Sequence, residues 1–423
     1  MGIRSPKLYN LLMALVSYII GDCPSCGSHE SYGNVMVGGN TLSRGCLKCK
    51  HWDRIPLPEL QKKIIYLDQF FFSHAFRGQN KMFVEAQKRI TDLALAQQIV
   101  APYSNLHEDE SQLWTEAQRA PLLKFIKQTS LGHKFSYEYE VKSRQIHRAF
   151  RSFLVNGPTA SSVERDDALR RDINEWDNYV WIDVGNFADK HDTLKMRKDR
   201  SIEALLDVFD VWASTVSTFQ EDVRSEVSSC AKSYTETYVD YVKSIVSGDP
   251  NAFLTANENS MMIESLLRYH DKLPATLRMQ RIQAFFQSDY FADVPEVRIG
   301  SEFFALLRQR LRQSEYKNKE KNLNRFGGLF YDVRFISTYA PYCDAMVVDN
   351  LMFQWATDPL IDLPKRLGVR LFSRRNWNEF LTYLDDLAAG QRPEVAEALK
   401  MIRPVGARTP EWIRRGSALS KRI

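Results

Sequence analysis

Two C-x2-C pairs, Cys23-Pro-Ser-Cys26 and Cys46-Leu-Lys-Cys49, constrain the N-terminal segment more tightly than any other feature of the chain. Nineteen residues lie between them. Each pair forms a tight knuckle offering two thiolates, and two such knuckles at this distance can close a tetrahedral four-sulfur site. A segment this short cannot bury enough apolar surface to fold unaided, so a metal staple is what makes it a folding unit. Gly27 suits the sharp backbone bend just after the second thiolate. A zinc ribbon is therefore expected over residues 22–55, with Cys23, Cys26, Cys46 and Cys49 as ligands to a structural zinc ion. His29 and His51 stand nearby but are not needed for four-coordination. Four thiolates leave no open position for chemistry, so such a ribbon serves as a platform for nucleic acid or a protein partner. Cys230 and Cys343 stand alone and read as plain buried thiols. This usage is not a disulfide framework, and it favours a reducing, cytoplasmic setting.

Ahead of the ribbon, Leu8–Ile20 is a 13-residue apolar run that follows Arg4 and Lys7. It is too short to span a bilayer, and no small-residue cleavage site follows it. The expectation is a buried or docking apolar helix within residues 1–21, and no stable membrane span. The full chain of 423 residues is long enough for two or three domains, and 44% apolar with 26% charged residues is the balance of a globular protein. A formal charge of +5 permits a nucleic-acid partner without demanding one.

Beyond Pro56 and Pro58, short apolar runs alternate with helical periodicity. Lys62–Asp68 and Gln98–Pro102 predict strands, and Lys81–Ala96 a helix. Leu106–Arg119 predicts another helix, capped by Ser104 or Asn105. From about 120 to 320 the pattern is overwhelmingly helical, with Ile202–Val216, Val223–Ile245, Met261–His270, Pro274–Phe286 and Ser301–Ser314 as examples. Strand and helix then alternate again: a helix over Leu329–Tyr339, a strand over Ala345–Val348, a strand over Gly368–Phe372 and a helix over Trp377–Leu387. The outer regions predict a parallel α/β sheet, and the helical stretch an insertion within it. Residues 391–423 form a basic C-terminal tail.

Acids recur at the ends of these elements. Asp68 closes the first buried strand, where open parallel sheets collect ligands. His107 and Glu110 lie one helical turn apart and share a face. Near a helix start, Glu108, Asp109 and Glu110 are also favoured by the helix dipole alone. Asp332 lies on a helix, and Asp344 and Asp349 bracket a strand. Several acids within one apolar helix–loop–strand unit are costly to bury unless they are paired or hold a metal. Hard carboxylate oxygens suit Mg²⁺ or Mn²⁺.

In the order of these acids the chain resembles PIN-domain nucleases, and it is similar to the larger bacterial PIN-like proteins. The resemblance is carried by Tyr66-Leu67-Asp68-Gln69, the run from Pro102 to Glu110, Asp332-Val-Arg-Phe-Ile, Pro341-Tyr-Cys-Asp344 and Val347-Val348-Asp349-Asn350. It covers residues 62–155 and 325–390 as the two parts of one domain, with residues 156–324 inserted between them. It implies an α/β fold: a PIN-like three-layer parallel sheet interrupted by a large all-helical insertion, with the small ribbon added at the N-terminus. It also implies a metal-dependent endoribonuclease that hydrolyses RNA phosphodiesters. Asp68, Glu110, Asp332 and Asp349 would be ligands to a catalytic Mg or Mn ion, Asp344 would be a fifth ligand or a group behind them, and Ser104, His107 and Asn350 would orient carboxylates or water. RNA is the expected partner, with DNA the other polynucleotide open to it, and a role as a bacterial defence or stress effector is an analogy only. The alternative is a non-catalytic nucleic-acid or protein-binding module that keeps the fold.

Other features read more plainly. Trp181–Asp192 is expected to be a polar loop, with Asn186 and His191 facing a groove if it has a role. Phe70, Phe71 and Phe72 are expected to pack in the core. The basic stretch Tyr316–Arg325 is a solvated surface that would touch substrate only if it lies beside the acids.

Overall fold

The computed structural model describes residues 16–159, 163–169, 172–176, 196, 203, 207–209, 211–252, 256–270, 272–313 and 328–404. Trp181–Asp192, the basic 316–325 stretch and the tail beyond residue 404 lie outside the described residues. The chain is mixed α/β, with an N-terminal antiparallel sheet and a separate parallel sheet.

The first sheet is a meander of β1 (Tyr18–Gly21), β2 (Tyr32–Gly38), β3 (Thr41–Cys46) and β4 (Trp52–Pro56), in that spatial order. β1 corrects the helical expectation for Tyr18–Ile20; residues 1–15 of that segment lie outside the described residues. Tyr18, Ile19 and Ile20 are the aromatic and β-branched types that fit a pleated edge, and β2 offers them backbone partners through Tyr18↔Asn34 and Ile19↔Gly33. Gly33 permits this pairing, because a Cβ there would lie 1.9 Å from the Tyr18 carbonyl oxygen.

The second sheet consists of β5 (Lys63–Leu67), β6 (Ile99–Val100), β7 (Ala345–Val347) and β8 (Arg370–Phe372). All are parallel, in the order β6-β5-β7-β8. Its strands are apolar on both faces, as a sheet covered on both sides requires. Ile64, Tyr66, Met346 and Leu371 point to one core, and Ile65, Leu67, Ala345, Val347 and Phe372 to the other. The second core is closed by α1 (Gln69–Arg77), α2 (Lys81–Leu95), α4 (Glu116–Thr129) and α12 (Trp377–Ala389). The short α3 (Asn105–Ser111) precedes α4, so the single helix expected over Leu106–Arg119 is two. Thr115 starts the second, and Trp114 in the break packs against Phe76 and under Arg77.

The first core is closed by α9 (Pro295–Arg312) and α10 (Leu329–Tyr339). Between the sheet strands run α5 (Glu138–Leu154), α6 (Phe219–Val246), α7 (Glu258–Leu267) and α8 (Ala275–Phe286), which build a third core around Phe150, Tyr234, Phe285 and Phe291. α9 belongs to both: Val297 enters the helical core, while Phe303 and Leu307 press on the sheet. After β7 comes α11 (Asn350–Ala356), and the chain ends its described course in α13 (Pro393–Ile402). This last helix corrects part of the tail expectation. Val395, Ala398 and Ile402 pack on Leu42 and Leu57 of the N-terminal sheet, and Asn34 donates to the carbonyls of Met401 and Ile402 at 2.8 and 3.0 Å. No helix among the described residues is long and apolar enough to cross a membrane.

His107 ties the carboxyl end of β5 to the start of α3. Its Nε2–H donates to the Leu67 carbonyl at 2.8 Å, and its Nδ1 accepts the Ser104 backbone N–H at 2.9 Å. The bond at Nδ1 needs the neutral ring, and burial pushes the His107 pKa down to about 4 although the Leu67 carbonyl favours the protonated form. Burial, with Lys62 beside it, does the same to His133. The unfolded chain takes up these protons near 6.5, the folded chain only near 4. The associated stability is complete above 6.5 and is lost as pH falls toward 4, by about 3 kcal/mol for His107 alone. Urea unfolding at neutral pH and at pH about 5 should show this loss. A His107→Gln variant should be less stable at neutral pH but flatter between the two, and an unchanged pH slope in that variant would contradict the assignment.

Candidate functional site

Two groups of residues stand out, four cysteines in the N-terminal sheet and several acids beside the parallel one, and among the described residues the cysteines alone gather closely enough to hold a metal ion. In the first, the sulfur atoms of Cys23, Cys26, Cys46 and Cys49 all lie within 4.8 Å of one another. Cys23 and Cys49 are 3.6 Å apart, and Cys26 and Cys46 are 3.8 Å apart. A zinc tetrahedron with Zn–S bonds near 2.3 Å has sulfur–sulfur edges of about 3.8 Å, so the sulfurs are spaced as that ion requires. The first knuckle turns through Gly27 at φ +69, with Gly27 N–H donating to the Cys23 carbonyl at 2.9 Å. In the second, the Lys48 N–H points at the Cys46 sulfur at 3.2 Å. The thiols of Cys46 and Cys49 shift in opposite directions. Burial pushes Cys46 up, but hydrogen bonds from Ser31 and the Lys48 and Cys49 N–H groups outweigh it and hold this thiol down. Cys49 accepts the His51 N–H, yet burial and three neighbouring sulfurs drive it up. Four thiolates this close cannot all ionise without a cation between them. His29 and His51 pair instead with Asp22 and Asp53, at 2.8 and 3.0 Å.

The second cluster lies at the carboxyl edge of the parallel sheet. Asp68 follows β5 and caps α1, accepting the Gln69 N–H at 2.6 Å. Asp349 follows the neighbouring β7 and caps α11, accepting the Met352 N–H at 2.7 Å. Capping alone would account for an aspartate at either place. Two observations go beyond it. Asp68 is buried, and its carboxyl is held well above the usual range by that burial, then by the charges of Glu110 and Asp349; the N–H groups of Gln69 and Asp349 offset this only in part. In addition, the Tyr66 hydroxyl, on a side chain 1% exposed, has no hydrogen-bond partner among the described residues. Burial, followed by the charges of Asp68, Glu110 and Asp332, pushes this phenol far up. A buried hydroxyl without a partner is costly, and here it lies within the electrostatic reach of three carboxyl groups.

Glu110 reaches this site from α3 and Asp332 from the first turn of α10. A Cβ at Gly328 would meet the Asp332 carboxylate at 3.2 Å, so that side chain folds back over the start of its own helix. The neighbouring acids on α3 are answered by cations: Lys134 binds Glu108 at 2.7 Å, and the Arg334 charge is supported by Asp109. Ser104 and His107 are buried behind the site, joined to each other and to β5. Asn350 opens α11 on the surface.

Asp344 is not part of this cluster, which corrects its expected role as a fifth ligand. It precedes β7 and so lies at the opposite edge of the sheet, about 15 Å away at the rise of a strand. There it accepts the Ile64 N–H at 2.8 Å and pairs with Lys63 at 2.9 Å and Arg165 at 3.2 Å. Phe71 and Phe72 are core residues as expected, and burial raises the thiols of Cys230 and Cys343. Sequence reasoning passed over the residues after β8. Arg374 and Arg375 line a cavity of about 440 Å³ together with His74, Asp349, Asn350 and Gln354. The rule that selected Asp68, applied to the end of β8, finds them. Larger cavities of about 590 and 740 Å³ lie among the helices, away from the strand ends.

No protein-family model, curated protein or solved structure matches the chain. For the cysteine cluster, elemental analysis of the purified protein should find roughly one zinc per chain. Cys26→Ser should release it and lower the melting temperature. Full zinc retention in that variant would remove Cys26 from the site.

Proposed function

We propose that the chain is a PIN-like metal-dependent endoribonuclease, with Asp68, Glu110, Asp332 and Asp349 as its acids and the four cysteines holding structural zinc. The observation that carries this reading is the crowding of carboxyl groups at one sheet edge: Asp68 is pushed up by burial, then by Glu110 and Asp349, next to a Tyr66 hydroxyl with no hydrogen-bond partner among the described residues. Carboxyl groups crowded in this way ionise together only when a cation answers them, and otherwise one keeps its proton. Hard oxygens select Mg²⁺ or Mn²⁺. When bound, such an ion polarises a phosphate oxygen and lowers the pKa of a water that serves as nucleophile.

The chain's own residues divide the remaining work. Asp68 and Asp349, fixed as helix caps on adjacent strands, would hold the cation. Glu110 and Asp332, arriving from helices, would bind or orient its waters. His107, neutral and bonded at both nitrogens, keeps the Leu67 carbonyl and α3 in register and so sets Asp68 against Glu110. The Tyr66 hydroxyl would donate to a carboxylate or a water of this set.

A second reading, a polynucleotide-binding module without catalysis, has one observation in its favour. Among the described residues, the cysteines are the set whose ligand atoms all come within 4.8 Å, and the carboxylates do not reach that spacing. Mg²⁺ held through one or two carboxylates and several waters accommodates the wider set. The two readings part on one variant. In EDTA, Asp68→Asn should melt higher than wild type, because a carboxyl raised by its neighbours costs stability once ionised. Mn²⁺ should raise the melting temperature of wild type and leave the variant nearly unchanged. With Mn²⁺ present, cleavage of a single-stranded RNA should fall on the order of 100-fold in the variant. Equal cleavage by both proteins ends the assignment of Asp68, and absence of cleavage by wild type favours the binding module.

A further inference from the structure

At the carboxyl edge of the parallel sheet, Asp68 follows β5, Asp349 follows β7 and two arginines follow β8. Arg374 and Arg375 come one residue after β8 and share a cavity with Asp349. Several other arginines are held by carboxylates: Arg310 by Asp358 at 2.6 Å, Arg366 by Glu302 at 2.6 Å and Arg148 by Asp167 at 2.8 Å. Arg374 and Arg375 are exposed, and their acceptors are neutral. The His74 Nε2 accepts from Arg374, whose guanidinium also lies over the Phe83 ring at 5.3 Å. Burial, then Arg374 and Arg77, pushes His74 below its ordinary range, so the ring is neutral and its lone pair is available. The Gln354 carboxamide oxygen, in the orientation that satisfies both groups, accepts from the two terminal nitrogens of Arg375 at 2.5 and 2.9 Å. Among the described residues neither arginine forms an ion pair with a carboxylate. A guanidinium that only needed solvation would not need a fixed neutral partner. One that is aimed by a neutral partner keeps its full charge, and its remaining N–H groups, for an anion.

We propose that Arg374 and Arg375 form the anion-binding half of the substrate site and take a phosphate of a polynucleotide backbone beside the one presented to the carboxylates. This rests on the phosphodiester reading of the acids, and it adds the substrate contact that reading lacks. A cation held by the acids and a phosphate held by the arginines would then share one cavity. His74 and Gln354 act as positioning residues for the two guanidinium groups.

The test uses the full chain in EDTA, so that nothing is cut. Anisotropy of a labelled single-stranded RNA is followed over a range of KCl concentrations. Arg374→Ala with Arg375→Ala should weaken binding and reduce the slope of log K against log salt by about 0.7, the contribution of one phosphate. Arg375→Ala alone spares the Arg374 contact with Phe83 and should reduce it by less. Lysine at both positions should restore the slope but not all of the affinity, because the planar fork is lost. Addition of inorganic phosphate separates the sources of the anion: the proposal expects only weak competition, and displacement at concentrations comparable to the RNA would assign the slot to free phosphate and overturn it. Alanine variants that stay folded by their melting curves and keep the wild-type slope also overturn it, as does a wild type that binds no RNA. Cleavage with Mn²⁺ is scored separately. A shifted slope without any cleavage keeps the arginine slot and sinks the nuclease reading, and intact cleavage with an unshifted slope does the reverse.

Discussion

The pairing of β5 with β7 is the contact on which the rest of the molecule depends. Ile65 lies beside Ala345, a separation of 280 positions, with the entire helical region between them. Closing a loop of that length costs chain entropy before any contact rewards it. The two strands recover that cost by being apolar on both faces, so that every residue from Ile64 to Leu67 and from Ala345 to Val347 enters one of two cores. An aspartate fastens each end. At the starting edge, the Asp344 backbone and side chain bond Ile64 in both directions. At the finishing edge, the Asp68 N–H donates to Val347 and the Asp68 carboxylate accepts the Asp349 N–H.

These two fastenings have opposite electrostatics. Asp344 is answered by Lys63 and Arg165, so its negative charge is paired at the starting edge. Asp68 is answered by Glu110 and Asp349, so the finishing edge gathers like charge in a buried place. A fold selected only to hold its strands would have no reason to differ at the two ends. The proposed site rests on that difference, without reference to any other protein.

Much of this was legible in the sequence, and the omissions have physical causes. β5, β7, α2 and α10 appear within a residue or two of their expected bounds, because short apolar runs and helical spacing are local signals that burial on both faces makes strong. β1 was misread because an apolar run carries no period of its own, and its partner β2 begins only after the first knuckle. The break between α3 and α4 escaped because Thr115 restarts a helix whose apolar spacing runs on through the interruption. Asp344 was grouped with the other acids by proximity in sequence. Yet it precedes its strand, and in a parallel sheet that alone puts it at the wrong edge. The same rule, applied to the residues after β8, would have marked Arg374 and Arg375. The unpartnered Tyr66 hydroxyl has no sequence signature at all, since only packing reveals which hydroxyl lacks a partner.

The two ends of the described chain meet on a third surface. α13 closes the apolar side of the N-terminal sheet, and Asn34 holds its last carbonyls, so the cysteine cluster and the segment after the parallel domain belong to one structural unit. Trp176 joins the same cluster and donates to the Pro58 carbonyl at 2.7 Å, adding the start of the helical region to it. A metal that orders the two knuckles therefore acts on more than its own small sheet. It fixes β2 and β3, on which α13 rests, while Trp176 and Pro58 continue that contact toward Lys62 and the beginning of β5. A cation held by the cysteines and the proposed catalytic one would sit on different sheets, linked through the strand that ends at Asp68.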